Sequence, residues 1–158
     1  MTEIFFYHLE TQPLERVIPV LIEKSLERGW KVVVETVSEE RAEALDLLLW
    51  TYRDESFLPH SLAGGDSDAL QPVLITTRPH NPNSADVRFF VDRAVPQSGD
   101  GYQRIVFLFS GHDPDAVTEA RAAWRALGQG AQAGQVQGQV NELTYWQQDA
   151  NGRWAKKG

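Results

Sequence analysis

Runs of apolar and β-branched residues alternate along the chain with segments whose apolar residues recur at helical spacing. Strands are predicted at residues 3–9, 30–36, 72–77, 86–91, 104–109 and 141–147. Helices are predicted at residues 13–28, 38–50 and 115–127. Because strands alternate with helices at both ends of the chain, the pattern predicts an α/β fold: a mostly parallel sheet with helices on both faces.

Two local features modify this picture. Pro19 lies inside the first predicted helix, so we expect a kink there or a later helix start. The strands at 72–77 and 86–91 are joined by a turn cluster at 79–84 that is too short for a helical crossover. That pair is therefore expected to be antiparallel, which would make the sheet mixed.

The remaining segments divide the chain into one domain and a tail. Residues 51–70 break the periodicity and predict an extended surface loop. Residues 128–140 are rich in Gly, Gln and Ala and carry no charge, which predicts a flexible loop. We expect a single domain over residues 1–147, including that loop, followed by a C-terminal tail over residues 148–158.

Composition narrows the classes of function. The chain of 158 residues has no cysteine, which excludes disulfides, thiol catalysis and thiolate metal sites and is typical of a cytoplasmic protein. It begins without the pattern of a signal peptide, and no apolar run approaches the ~20 residues that span a bilayer. The formal net charge of -7 disfavours broad DNA binding, so a role with DNA is expected to be indirect, although a local basic patch remains compatible with it.

The motifs of a nucleotide-binding enzyme are missing. The chain has no G-x-x-x-x-G-K-[ST] loop, and no G-x-G-x-x-G turn follows the first strand. No two histidines have metal-ligand spacing, and Asp113 in the pair His112-Asp113 is interpreted as the cap of the following helix. We therefore predict no catalytic residue, metal or cofactor. The alternative is a small nucleotide-utilising α/β enzyme that lacks recognisable motifs.

The last helix carries the most informative side chains. On a helical wheel one narrow face is predicted to pack on the sheet and consists of Ala116, Ala120, Ala123 and Leu127. Trp124 lies at the edge of that face, with Arg121 and Arg125 just beyond it, one turn apart. Two cations beside an aromatic ring suit a ligand with a carboxylate and an apolar group, such as a peptide C-terminus. Alternatively, Trp124 belongs to the core and both arginines are merely solvated.

A second cluster of apolar residues falls in the irregular segment after the second helix. It begins with Trp50 at the end of that helix and continues with Tyr52, Phe57, Leu58 and Pro59. Such residues either cap the sheet or form a docking surface for a partner.

Together these segments resemble the chi subunit family of the bacterial DNA polymerase III holoenzyme over nearly the whole chain. The most specific element is Leu49-Trp50 followed by the run Ser56-Phe57-Leu58-Pro59-His60 and then Leu62-Ala63-Gly64. The opening strand with Phe6-Tyr7, the helix around Trp124 and the closing Thr144-Tyr145-Trp146 also match.

The resemblance implies a Rossmann-like fold without a phosphate-binding loop and a non-catalytic accessory subunit of the clamp loader, acting in the cytoplasm at replication forks on the nucleoid. It implies that Arg121, Trp124 and Arg125 bind the C-terminal tail of single-stranded-DNA-binding protein. It also implies that the loop around Phe57 binds the psi subunit or the clamp loader. The Gly/Gln-rich segment 128–140 departs from the family as an insertion.

Overall fold

The computed structural model describes residues 2–51, 59–94, 101–132 and 141–157. The strands of this part are β1 Thr2–Leu9, β2 Val32–Glu35, β3 Ser61–Leu62, β4 Val73–Thr76, β5 Val87–Phe90, β6 Arg104–Ser110, β7 Asn141–Gln148 and β8 Trp154–Lys156. The α-helices are α1 Leu14–Glu27, α2 Glu39–Thr51 and α3 Pro114–Gln132, and a 3-10 turn covers Asp68–Leu70. Among the described residues, no helix combines the length and apolarity needed to cross a bilayer.

The strands form one sheet in the order β3-β4-β2-β5-β6-β1-β7-β8. Neighbouring strands are parallel from β3 to β7, and β8 is antiparallel to β7. The prediction of a mostly parallel α/β sheet with helices on both faces is confirmed. The expected antiparallel pairing of the strands around residues 72–77 and 86–91 is wrong, because β4 and β5 lie on either side of β2 and are both parallel to it.

Helices cover the sheet unevenly, and this produces two principal core clusters. The first lies under α1 and α2 and includes Val17 and Ile22 of α1 with Val34 of β2. The second lies under α3 and includes Phe6 of β1 and Phe107 of β6. Successive residues of a strand point to opposite faces, so Phe6 of β1 enters the cluster under α3 while Tyr7 packs against the cluster under α1. In β2 and β4, Val33 and Leu74 enter a third, smaller cluster. The sheet is therefore buried on both faces, with α3 covering the part around β6, β1 and β7.

The boundaries of several elements differ from the sequence-based expectation. Helix α1 continues through Pro19, which is buried, so the expected late start is wrong. Helix α3 extends to Gln132, so the predicted loop 128–140 begins with helical residues, since Gln and Ala are compatible with a helix. Residues 133–140 lie outside the described residues. The strands β3 and β8, of two and three residues, were not predicted because such short edge strands carry no clear alternation.

The crossover from β4 to β5 contains a loop in place of a helix, and side-chain amides fix this loop. Asn83 is 1% exposed, and its amide nitrogen donates to the carbonyls of Val32 and Gln71, each at 3.0 Å. The side-chain oxygen of Asn81 accepts from the backbone N–H of Ala85 at 2.8 Å. The turn cluster thus leads the chain across β2 without a helix.

The buried side chain of Arg88, in β5, holds the same loop through hydrogen bonds. Its guanidinium donates to the carbonyls of Arg78 at 2.6 Å and His80 at 2.8 Å, to the hydroxyl of Tyr102 at 3.0 Å, and to the carboxylate of Glu35. The residue is only 2% exposed. A buried charge is tolerated because a carboxylate and several oxygens satisfy it.

Replacing Arg88 with Leu should lower the free energy of unfolding by about 3–5 kcal/mol, because it leaves the Glu35 carboxylate and two loop carbonyls without their donor. Urea denaturation would measure this decrease in the free energy of unfolding, with both proteins fitted to one common m-value. Arg78→Leu is the matched control, since its side chain is exposed and should have little effect. An Arg88→Leu protein as stable as wild type would contradict the anchoring role.

Candidate functional site

Helix α3 presents the predicted peptide-binding side chains at its margin. The Asp113 carboxylate accepts from the backbone N–H groups of Asp115 and Ala116 at 3.0 and 3.3 Å, so the predicted helix cap is confirmed. The face predicted to pack on the sheet is buried at Ala116, Ala120, Ala123 and Leu127. Small alanines let the helix approach the sheet closely, and Arg121 and Arg125 are left exposed.

Trp124 combines features of the two interpretations that the sequence left open. Its ring packs edge-on against Phe6, with centroids 5.2 Å apart, and against Tyr145, with centroids 5.8 Å apart. It is nevertheless only partly buried. Trp124 is therefore part of the core cluster under α3 and also contributes a ring to the surface.

Arg121, Trp124 and Arg125 line one concavity of about 550 Å³, which we call the α3 groove. The sequence did not predict the other lining residues, which are His8, Tyr145, Gln147 and Lys157. They come from β1, β7 and the residue after β8. The backbone N–H of Lys157 donates to the carbonyl of Tyr145 at 2.7 Å, which places a third cation at the groove.

His8 and Tyr145 form a polar contact at the groove. The Nδ1 atom of His8 lies 2.7 Å from the Tyr145 hydroxyl, and its Nε2 atom lies 2.9 Å from the Glu10 carboxylate. Burial lowers the pKa of His8, an effect that Glu10 opposes and nearby Arg121 reinforces. Burial also raises the pKa of Tyr145, so at neutral pH the groove adds no negative charge there.

Gly111 makes room for this histidine. A Cβ atom at position 111 would lie 2.2 Å from Nε2 of His8, which is shorter than any acceptable contact. A side chain there would displace the imidazole or the β6–α3 loop. The glycine after β6 therefore contributes to the arrangement of the groove, which the sequence alone did not indicate.

The second predicted surface is described only in part. Trp50, at the end of α2, is 52% exposed, and its ring lies 4.6 Å from that of buried His60. Pro59 is partly buried. Phe57 and Leu58 lie outside the described residues. The Nε2 atom of His60 is 3.1 Å from the backbone carbonyl of Asp46 and 3.2 Å from its carboxylate, which joins the segment to α2.

A cavity of about 480 Å³ lies at the carboxyl ends of β1 and β6, where doubly wound sheets often bind ligands. Five carboxylates line it: Glu10, Glu15, Asp92, Asp113 and Glu119. Its one arginine, Arg93, is already paired with Asp113 at 3.2 Å and with Glu119 at 2.5 Å. This charge distribution repels polyphosphates. Within the described ranges, no group of three or more His, Asp or Glu is placed to hold a metal ion.

Comparison with known proteins identifies the family of the chain. Residues 1–133 match the family model described as DNA polymerase III chi subunit, HolC. A probable DNA polymerase III subunit chi of Rickettsia prowazekii is 34% identical over 87 residues, which cover 55% of this chain and 53% of the relative. The DNA polymerase III subunit chi of Pseudomonas aeruginosa is 29% identical over 111 residues, covering 68% and 77%. The chain thus spans about half the length of the first relative and over two thirds of the second. It belongs to the DNA polymerase III chi subunit family.

Proposed function

We propose that this chain is a non-catalytic adaptor of the DNA polymerase III clamp loader that binds the C-terminal tail of single-stranded-DNA-binding protein, in the cytoplasm at replication forks. The observation that carries the proposal is the convergence of Arg121, Arg125 and Lys157 around the exposed part of Trp124. At this site the link to DNA would be indirect, through that partner.

The chemistry of the α3 groove suits an acidic peptide that ends in an apolar residue. Within the described part of the chain, neither Arg121 nor Arg125 has an ion pair, so both guanidinium groups are available to carboxylates. The Trp124 and Tyr145 rings, 5.8 Å apart, offer an aromatic wall to a phenyl group. Three cations concentrated at one groove also provide local attraction in a protein whose net charge is -7.

The non-catalytic part of the proposal is supported by the cavity at the carboxyl ends of β1 and β6. Its carboxylates oppose binding of a nucleotide, and the chain has no phosphate-binding loop. We therefore favour the adaptor over a nucleotide-utilising enzyme.

Arg121→Ala or Arg125→Ala should each weaken binding of the tail peptide about ten- to a hundredfold, because a charged hydrogen bond contributes roughly 1.5–3 kcal/mol. Calorimetric titration at two salt concentrations would measure this, and the affinity of the wild type should fall with salt. Arg78→Ala, a distant exposed arginine, is the control. Arginine variants that bind like wild type would place the tail elsewhere.

Lys157→Ala should weaken the same peptide by roughly two- to fivefold, because an exposed charge pair contributes about 0.2–1 kcal/mol. Lys156→Ala is the matched control: it removes the same charge from the adjacent residue, which does not line the groove. Equal losses in the two variants would mean that net charge, and not the position of Lys157, determines the effect.

We further propose that the loop around Phe57, with Leu58, Pro59 and Trp50, docks the psi subunit or the clamp loader. The support is the exposed ring of Trp50, which presents apolar surface at the end of α2.

Phe57→Ala and Trp50→Ala should each reduce co-purification with clamp-loader subunits while leaving the affinity for the tail peptide unchanged. Leu70→Ala, which removes an apolar side chain that is 78% exposed elsewhere, is the control and should retain the subunits. Retention of the clamp loader by both aromatic variants would show that these residues only cap the sheet.

A further inference from the structure

The face of the sheet opposite α3 carries a second groove, which none of the sites above uses. It has a volume of about 750 Å³ and runs between α1 and the aromatic side chains of β1 and β8. We call it the α1 groove and define it by Arg16, Lys24, Arg28, Arg104, Tyr7 and Trp154.

The charge of the α1 groove opposes that of the whole protein. Four cations line it, against one acid, Glu27, in a chain whose net charge is -7. Over the described ranges Arg16, Lys24 and Arg28 have no ion pair, whereas Arg104 contacts Glu3 at 3.0 Å. At least three positive charges are therefore available to an anionic ligand.

The cations form a stripe along one wall. Arg16 and Lys24 belong to α1, Arg28 is its C-terminal cap, and all three line the groove. At ~1.5 Å rise per residue they extend over about 18 Å. A ligand with repeated negative charges along its length matches such a stripe better than a single carboxylate does.

Aromatic rings provide the opposite wall of the α1 groove, and a further ring lies beside two of its cations. Trp154 packs edge-on against Tyr7, with centroids 4.7 Å apart, and remains partly exposed. The guanidinium groups of Arg28 and Arg104 lie 4.2 and 5.1 Å from the centroid of Trp30. This contact holds two cations beside a flat hydrophobic surface.

We propose that the α1 groove binds single-stranded nucleic acid, with phosphates on the cationic stripe and bases against Trp154 and Tyr7. A basic groove with aromatic side chains is the general arrangement for binding single strands without sequence preference. An acidic peptide is the weaker match, because cations spread over about 18 Å beside aromatic rings suit regularly spaced phosphates with bases between them. The site is independent of the tail-binding proposal, since the two grooves lie on opposite faces of the sheet.

Fluorescence anisotropy of a labelled oligothymidylate, titrated with the full chain at low salt, tests this proposal. With three to four phosphates neutralised, log affinity should fall against log salt with a slope of about -2 to -3. Arg16→Glu combined with Lys24→Glu should weaken binding at least tenfold and make the slope shallower. Arg78→Glu combined with Lys156→Glu changes the net charge equally at two exposed residues that do not line the groove, and this variant should bind the oligonucleotide like wild type.

The aromatic wall is tested separately. Trp154→Leu should weaken oligonucleotide binding about five- to a hundredfold, whereas Trp154→Phe, which retains a stacking surface, should bind nearly as wild type. Thermal unfolding of each variant checks that β8 is retained. If Trp154→Leu does not fold, the comparison of the two double variants decides the proposal alone.

Absence of oligonucleotide binding at low salt would overturn the proposal, and so would an equal loss of oligonucleotide affinity in both double variants. A third contrary result would be that the chain binds polyglutamate and not the oligonucleotide, and that this binding depends on Arg16 and Lys24. The last result would identify the occupant as an acidic protein segment. Titration of the tail peptide into the Arg16/Lys24 variant should be unchanged. A failure of the α1 groove is therefore distinguishable from a failure of the α3 groove.

Discussion

The chain passes from β4 over β2 to β5 without a covering helix, and the buried guanidinium of Arg88 makes this possible. The guanidinium donates hydrogen bonds to two loop carbonyls, a hydroxyl and the Glu35 carboxylate. The loop therefore packs over a charged side chain, where other crossovers would place the apolar face of a helix. A buried charge carries a large desolvation cost and requires all its partners at once. The network therefore specifies the positions of β2, β5 and the crossover together.

Helices α3 and α1 cover opposite faces of the sheet, and each leaves a groove at its margin. Helix α3 covers only the strands around β1 and leaves Trp124 and its arginines at the border of the covered region. Helix α1 lies on the other face and forms a groove with Tyr7 and Trp154. Seven of the 15 Lys and Arg residues of this acidic protein thus line two separate grooves, where local potential and not net charge governs attraction.

The sheet is mostly parallel with helices on both faces, and the chemistry at the carboxyl ends of two central strands is acidic. Carboxylates occupy the crevice at the ends of β1 and β6, and Arg93 is held between Asp113 and Glu119. Membership of the chi subunit family is consistent with this chemistry. The two basic grooves lie away from this crevice, at the margins of α3 and α1.

The sequence by itself determined the α/β class, the central strands, the cap at Asp113 and the buried face of α3, because each rests on local periodicity or on one side chain. It also selected Arg121, Trp124 and Arg125, since neighbours on a helix surface follow from spacing. It did not determine the parallel pairing of β4 and β5, because a loop crossover depends on hydrogen bonds from Asn83 and Arg88. Only the tertiary structure brought His8, Tyr145 and Lys157 to the α3 groove and Trp154 to the α1 groove. Those residues are distant in the chain and meet through strand pairing, which local pattern does not encode.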